Sequence, residues 1–273
     1  MNSNLAKRTI TGVIYGTSLI ACLLLGQITA AILFLIIMLF ALKEFYSLVE
    51  SPHTKPQRVM GMLISLGFYV SSFLYFNNWD LAKNVFLMTF LTIFIVFVIE
   101  LLNKKSIHSI NNIALTLMGV IYVAIPMSLT FFISHNDINQ YHYETLLSIF
   151  ILVWLNDMGG YFIGTYFGKH KLIERISPKK SWEGLIGGCL LSLSGSIILW
   201  YSFADLTIYQ WLLLSIIITI ASVIGDLIES MIKRTVKVKD SGNILPGHGG
   251  FLDRFDSILF VIPVVYIFQK LIL

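Results

Sequence analysis

Charge is what this sequence has least of. Lysine, arginine, aspartate and glutamate make up 12% of the 273 residues, against about 25% in a soluble domain. A soluble protein would also need polar faces on its surface helices, and almost none of the apolar runs has one. Cysteine is nearly absent: Cys22 and Cys189 both fall inside apolar runs. That excludes a disulfide framework and a thiolate metal site and leaves both as small packing residues. No G-x-x-x-x-G-K-[ST], no H-E-x-x-H and no thiol or serine triad signature is present, which excludes the nucleotide-binding loop and hydrolytic chemistries those motifs carry. No Pro/Ser-rich linker, charge block or internal repeat interrupts the chain. A separate soluble domain has no room, and a transporter built from inverted repeats is disfavoured.

Hydrophobic residues, at 56%, fill the space. A bilayer core of about 30 Å needs roughly 20 apolar residues per helical crossing. Nine runs qualify, at about 9–26, 28–42 (extendable to Val49), 59–76, 84–102, 111–134, 145–168, 184–203, 207–231 and 257–273. The expected fold is all-α: a polytopic integral membrane protein with about nine transmembrane helices in a lipid bilayer. Residues 1–110 would carry about four spans and 111–273 about five, with polar loops at 169–183 and 232–256. Lys7 and Arg8 precede the first run without a small-x-small cleavage site, so that run reads as a retained helix.

The basic residues orient the bundle. With nine spans, all of the 19 lysines and arginines except Lys83 and Lys270 fall on one side. Basic loops stay cytoplasmic, so the N-terminus is expected in the cytoplasm and the C-terminus outside. Anionic-lipid contact accounts for Lys104 and Lys105. It does not account for the acids, glycines and prolines mixed into the last two basic loops.

Three stretches place chemistry there. In Gly225–Arg234, Asp226, Glu229, Ser230, Lys233 and Arg234 recur at helical spacing and share a face, with Leu227, Ile228, Met231 and Ile232 opposite. A carboxylate within a span costs about 2.5–3.5 kcal/mol on insertion scales. Asp226 therefore needs a wet cavity, a cation or a partner, which Lys233 or Arg234 on the same helix could supply. In Thr235–Asp256, Lys237, Lys239 and Asp240 lead into a glycine-rich loop with His248, Gly249 and Gly250, whose amides could approach an anion. Asp253 and Asp256 then stand one turn apart, favoured by the N-terminal dipole of the last helix. Three carboxylates beside basic residues suit a hard cation such as Mg²⁺, which binds one or two carboxylates together with substrate phosphates. In Trp154–Gly188, Asn156 and Asp157 lie in an apolar run. Gly159, Gly160, Gly164 and Gly168 suit close helix packing. Ser177-Pro178 turns the chain, and Lys179 and Lys180 could clamp a polyphosphate just before a helix starting at Ser181 or Trp182, with Glu183 in its first turn.

Ser230, Lys233, Arg234, Lys239, Asp240, His248, Gly249, Gly250, Asp253, Arg254 and Asp256 form a 27-residue pattern, SMIKRTVKVKDSGNILPGHGGFLDRFD. It resembles the signature of the phosphatidate cytidylyltransferases, or CDP-diacylglycerol synthases. Asn156-Asp157, Gly168-Lys169, Ser177–Lys180 and Glu183-Gly184 are similar to that family as well. Residues 1–110 resemble it only as apolar helices.

The resemblance implies an enzyme of phospholipid synthesis that transfers CMP from CTP to phosphatidate, giving CDP-diacylglycerol and pyrophosphate. It implies Mg²⁺, a monovalent K⁺ as second ion, a homodimer in the cell (inner) membrane, an active site facing the cytoplasm, and no nucleic-acid partner. Asp226, Ser230, Lys233, Arg234, Asp253, Arg254 and Asp256 are then the expected catalytic set. Asp226, Asp253 and Asp256 would hold the metal. Lys179, Lys180, Lys239, Asp240, His248, Gly249 and Gly250 would bind CTP, and Asp157 and Glu183 would orient lysines or the second ion. The alternatives are a cytidylyltransferase for an isoprenoid lipid phosphate and an ion or anion transporter.

Overall fold

The computed structural model describes residues 3–104, 106–135, 140–203, 206–242 and 249–272, with residues 3–10 described by their backbone alone. The protein is an all-α polytopic membrane protein. Its helices are α1 (Ser3–Leu24), α2 (Gln27–Val49), α3 (Arg58–Phe76), α4 (Leu81–Leu102), α5 (Ser109–Gly119), α6 (Ile125–Ile133), α7 (Tyr143–Phe167), α8 (Trp182–Ser202), α9 (Ile208–Thr235) and α10 (Leu252–Ile272). A π-helical turn, Val120–Ala124, joins α5 to α6, so Ser109–Ile133 acts as one long apolar segment. With that segment counted once, eight helices among the described residues are long and apolar enough to cross a membrane, and α1 adds a shorter apolar stretch, Thr11–Leu24.

Local sequence explains the ends. Gly26 sits at φ 123° between α1 and α2, a backbone region that favours glycine. The break therefore falls where two apolar runs nearly touch. Thr207 caps α9 through a capping box with Gln210, satisfying amides that lack helical partners. Ser181 caps α8 by accepting from the Gly184 amide at 3.1 Å. The 28 residues of α9 give about 42 Å of helix at about 1.5 Å per residue. That exceeds a bilayer core by some two turns, enough to carry Lys233 and Arg234 past it. The 169–183 segment, expected as a loop, contains an antiparallel hairpin, β1 (Lys171–Ile173) with β2 (Ser177–Ser181).

The chain forms two compact units, Met1–His142 with Asp240–Arg254, and Tyr143–Lys239 with Phe255–Leu273. In the first, α2 buries Phe34, Met38, Leu42, Phe45 and Tyr46. The Tyr46 hydroxyl donates to the Thr116 carbonyl at 2.8 Å. Glu100 of α4 is buried yet well partnered. It accepts from Gln57 Nε2 (3.0 Å), Asn112 Nδ2 (2.8 Å) and the Ser106 hydroxyl.

In the second unit, glycines let α7 and α8 cross closely. A Cβ at Gly159 would stand 2.5 Å from the Gly187 carbonyl oxygen, and one at Gly188 would stand 2.5 Å from Asn156 Oδ1. The close packing expected from the small residues is present. At Gly160 the nearest atom would be 3.6 Å away, an ordinary contact. Gly159→Ala should therefore destabilise the protein by about 1–3 kcal/mol through overpacking, while Gly160→Ala should be close to neutral. Thermal unfolding of the two variants in detergent micelles checks this; equal midpoints would contradict the crossing.

Candidate functional site

Within the second unit, the polar pattern that ends at Asp256 begins on α9. Gly225 lets α10 come close: a Cβ there would lie 2.8 Å from the Asp256 carbonyl oxygen and 2.8 Å from Phe260 Cβ. Ser257 Oγ donates to the Ser222 carbonyl at 3.2 Å, and Asn156 Nδ2 donates to Ser222 Oγ at 3.3 Å. Three helices are thus pinned around one serine. Asp226, next to Gly225, and Asp256 are set against each other by this contact. The charges bearing on Asp256 come from Asp226, Asp157 and Lys233.

Asp226 is not paired along its own helix to Lys233 or Arg234. Its Oδ2 meets Lys180 Nζ of β2 at 2.6 Å, and its Oδ1 accepts from Ser230 Oγ at 3.2 Å. Lys180 also donates to the Val223 carbonyl at 3.4 Å. Lys180 is therefore fixed beside the carboxylates by the hairpin, while Lys179 is exposed on the same strand. Lys233 pairs with Glu229 four residues earlier. Glu229 is fully buried and Lys233 is 8% exposed. On the opposite face, Leu227 and Ile232 are buried as well, while Met231 is exposed. Arg234 donates to the Ile176 (3.4 Å) and Val238 (3.0 Å) carbonyls and so ties the helix end to the hairpin. Lys239, beyond the helix, is exposed.

Glu183 orients a backbone turn and not a lysine side chain. Its carboxylate accepts the Lys169 and His170 amides, each at 3.2 Å, and meets His170 Nδ1 at 2.6 Å. Asp157 was expected to orient a lysine or an ion; what places it here is its charge acting on Asp256.

The remaining signature residues lie in the first unit, because the boundary between units falls inside α10, after Arg254. Asp240 and Arg254 are exposed. Asp253 accepts the Ser241 amide (2.9 Å) and the Gly250 amide (2.8 Å) through Oδ2. It closes the two described ends of the glycine-rich segment on each other, a role its helical spacing did not suggest. Gly249 has φ 83°, and a Cβ there would lie 2.7 Å from Asp253 Oδ2, so only glycine fits. His248 lies outside the described residues, as does Lys105. Sequence reasoning missed Glu44, a buried acid of α2 that accepts the Leu252 amide at 2.8 Å. An ionisable residue inside an apolar run was the available signal.

Among the described residues, no three His, Cys, Asp or Glu side chains are grouped to hold a metal ion by themselves. Asp226 and Asp256 can offer two carboxylates at most, which leaves further positions to other oxygens.

What the site defines is an arrangement of paired carboxylates and clamped basic residues, carried on apolar helices and suited to phosphate chemistry. The family model described as "Cytidylyltransferase family" matches residues 6–272, and the chain belongs to that family. Among its relatives is a phosphatidate cytidylyltransferase of Staphylococcus haemolyticus (strain JCSC1435), 38% identical over 262 residues, covering 95% of this chain and 97% of the relative. One from Staphylococcus aureus (strain COL) is 37% identical over 266 residues with the same coverage. One from Staphylococcus epidermidis is 43% identical over 183 residues, covering 64% of this chain and 65% of the relative.

The buried Lys233–Glu229 pair has a measurable signature. Removing one member leaves the other buried and alone, which costs about 3–5 kcal/mol, whereas removing both is much milder. Glu229→Leu should lower the thermal midpoint more than the Glu229→Leu/Lys233→Met double variant does. A double variant at least as destabilised as the single would contradict the pairing.

Proposed function

We propose that this chain transfers the CMP group of CTP to phosphatidate, forming CDP-diacylglycerol and pyrophosphate. The observation that carries this is family membership over nearly the whole chain, with relatives of that activity aligned over 95% of it. A phosphate oxygen of phosphatidate attacks the α-phosphorus of CTP. The bond from that phosphorus to the bridging oxygen of the β-phosphate breaks, and pyrophosphate leaves in line. The attacking oxygen is already anionic near neutral pH, so no strong base is needed. The work of the protein is to hold two polyanions in register and to offset the charge that develops.

The chain's own residues supply that. Lys180, kept in place by Asp226 and the Val223 carbonyl, presents a positive charge beside the carboxylate pair. Lys179, Lys233, Arg234, Lys239 and Arg254 are assigned to phosphate contacts, and Asp240, His248, Gly249 and Gly250 to the nucleotide. The donor set fits Mg²⁺: two carboxylates, Asp226 and Asp256, brought together by the close approach at Gly225, with phosphate oxygens to complete the shell. Bound there, Mg²⁺ would neutralise charge on the reacting phosphate and leaving group. We assign Asp253 to closing the loop ends, on its amide bonds, in place of a metal-ligand role. Asp157 adds a third negative charge near Asp256, which suits K⁺ as the second ion. The basic bias of the loops puts this face in the cytoplasm, at the cell membrane, and the resemblance adds a homodimer.

Pyrophosphate release from CTP, measured with and without phosphatidate and Mg²⁺, tests the reading. Asp226→Asn and Asp256→Asn should each lower Mg²⁺-dependent turnover by about 10²–10³-fold in protein that still inserts. Near-normal turnover in either variant would remove the metal assignment. Faster turnover with an isoprenoid phosphate than with phosphatidate would reassign the lipid.

A further inference from the structure

We infer that Glu44, on the second helix, is a positioning residue for the glycine-rich signature segment. The inference rests on placing that segment at the reacting phosphates. Four observations meet at this side chain, all within the first unit. Glu44 is 4% exposed. Its Oε2 accepts the Leu252 amide at 2.8 Å and the Ser241 hydroxyl at 3.4 Å. It therefore holds both described ends of the segment, from 208 and 197 residues away in sequence. A Cβ at Gly242 would stand 2.6 Å from Glu44 Oε1, and one at Gly250 would strike Oε2. Both glycines are small because this carboxylate occupies the space. One helical turn before Glu44, Phe40 stacks on Phe251, with ring centroids 5.0 Å apart and planes at 11°.

The face of α2 carrying Phe40 and Glu44 is thus the seat of the segment. Asp253 ties the same two ends to each other through the Ser241 and Gly250 amides. Asp253 closes the segment and Glu44 anchors it to the helix. Gly249, Gly250 and Arg254 sit within six residues on this anchored stretch. A carboxylate is well suited to the task, because a hydrogen bond from an amide to a charged acceptor is shorter and stronger than to a neutral one.

The experiment uses the full chain in detergent micelles. It measures kcat and KM for CTP together with backbone amide exchange over 249–253. Glu44→Leu should speed exchange there and lower kcat about 100-fold, the loss a displacement near 1 Å can cause, with KM little changed. Glu44→Gln keeps the shape and an acceptor oxygen and should recover most of kcat. Gly242→Ala should impair kcat when Glu44 is present and add no further loss to Glu44→Ala.

Wild-type kcat in Glu44→Leu overturns the inference. So does a loss that follows only the folded fraction, with exchange over 249–253 unchanged. If Glu44→Leu does not insert, Gly242→Ala decides alone, and wild-type kcat in it overturns the inference. Arg254→Ala separates the two layers of the argument. Loss of turnover there with none in Glu44→Leu defeats only the anchoring. Full turnover in both defeats the placement of the segment at the phosphates.

Discussion

A carboxylate inside an apolar helix has to be met by something. Burial takes it out of water, and an ionised group left alone there costs several kcal/mol. Four such groups among the described residues have fixed partners. Glu100 is held by Gln57, Asn112 and Ser106. Glu229 faces Lys233, Asp226 faces Lys180, and Glu44 accepts the Leu252 amide. These pairings fix where β2, Gln57 and the described ends of the glycine-rich segment attach to the helices. The polar architecture follows from settling buried charge.

Small residues make the pairings possible. Gly159, Gly187 and Gly188 bring α7 against α8, and Gly225 brings α9 against α10. Without a water-driven hydrophobic effect between helices in lipid, close packing and hydrogen bonds carry the association. At Gly225 the close approach also sets Asp226 and Asp256 against each other. Structural packing and the chemistry of the site are thus one contact.

Much of the fold was legible in the sequence because a crossing needs a long uninterrupted apolar run, and such runs are visible without tertiary information. Boundaries moved where a single residue decided them. Gly26 at positive φ ends α1 earlier than the hydropathy would, and α10 starts at Leu252 and not near 257. The hairpin over Lys171–Ser181 was not legible, since it is short, polar and interrupted by a proline. The residue types of the site and their helical spacing could be read. Which acid meets which base could not: Asp226 turns to Lys180, 46 positions away, and not to the lysine on its own helix.

By itself the sequence determined the membrane class, the number and approximate ends of the apolar helices, and the concentration of polar residues in the C-terminal half. It also carried the family pattern over Ser230–Asp256. These are properties of short stretches, set by local composition and the 3.6-residue period. Only the tertiary structure decided that Asp253 closes its own loop, that Glu229 covers Lys233, and that a lone acid in α2 seats a segment 208 residues on. The physical reason is range: hydropathy and helical spacing act over one or two turns, while the partner of a buried charge is chosen by whichever backbone or side chain packing brings within about 3 Å.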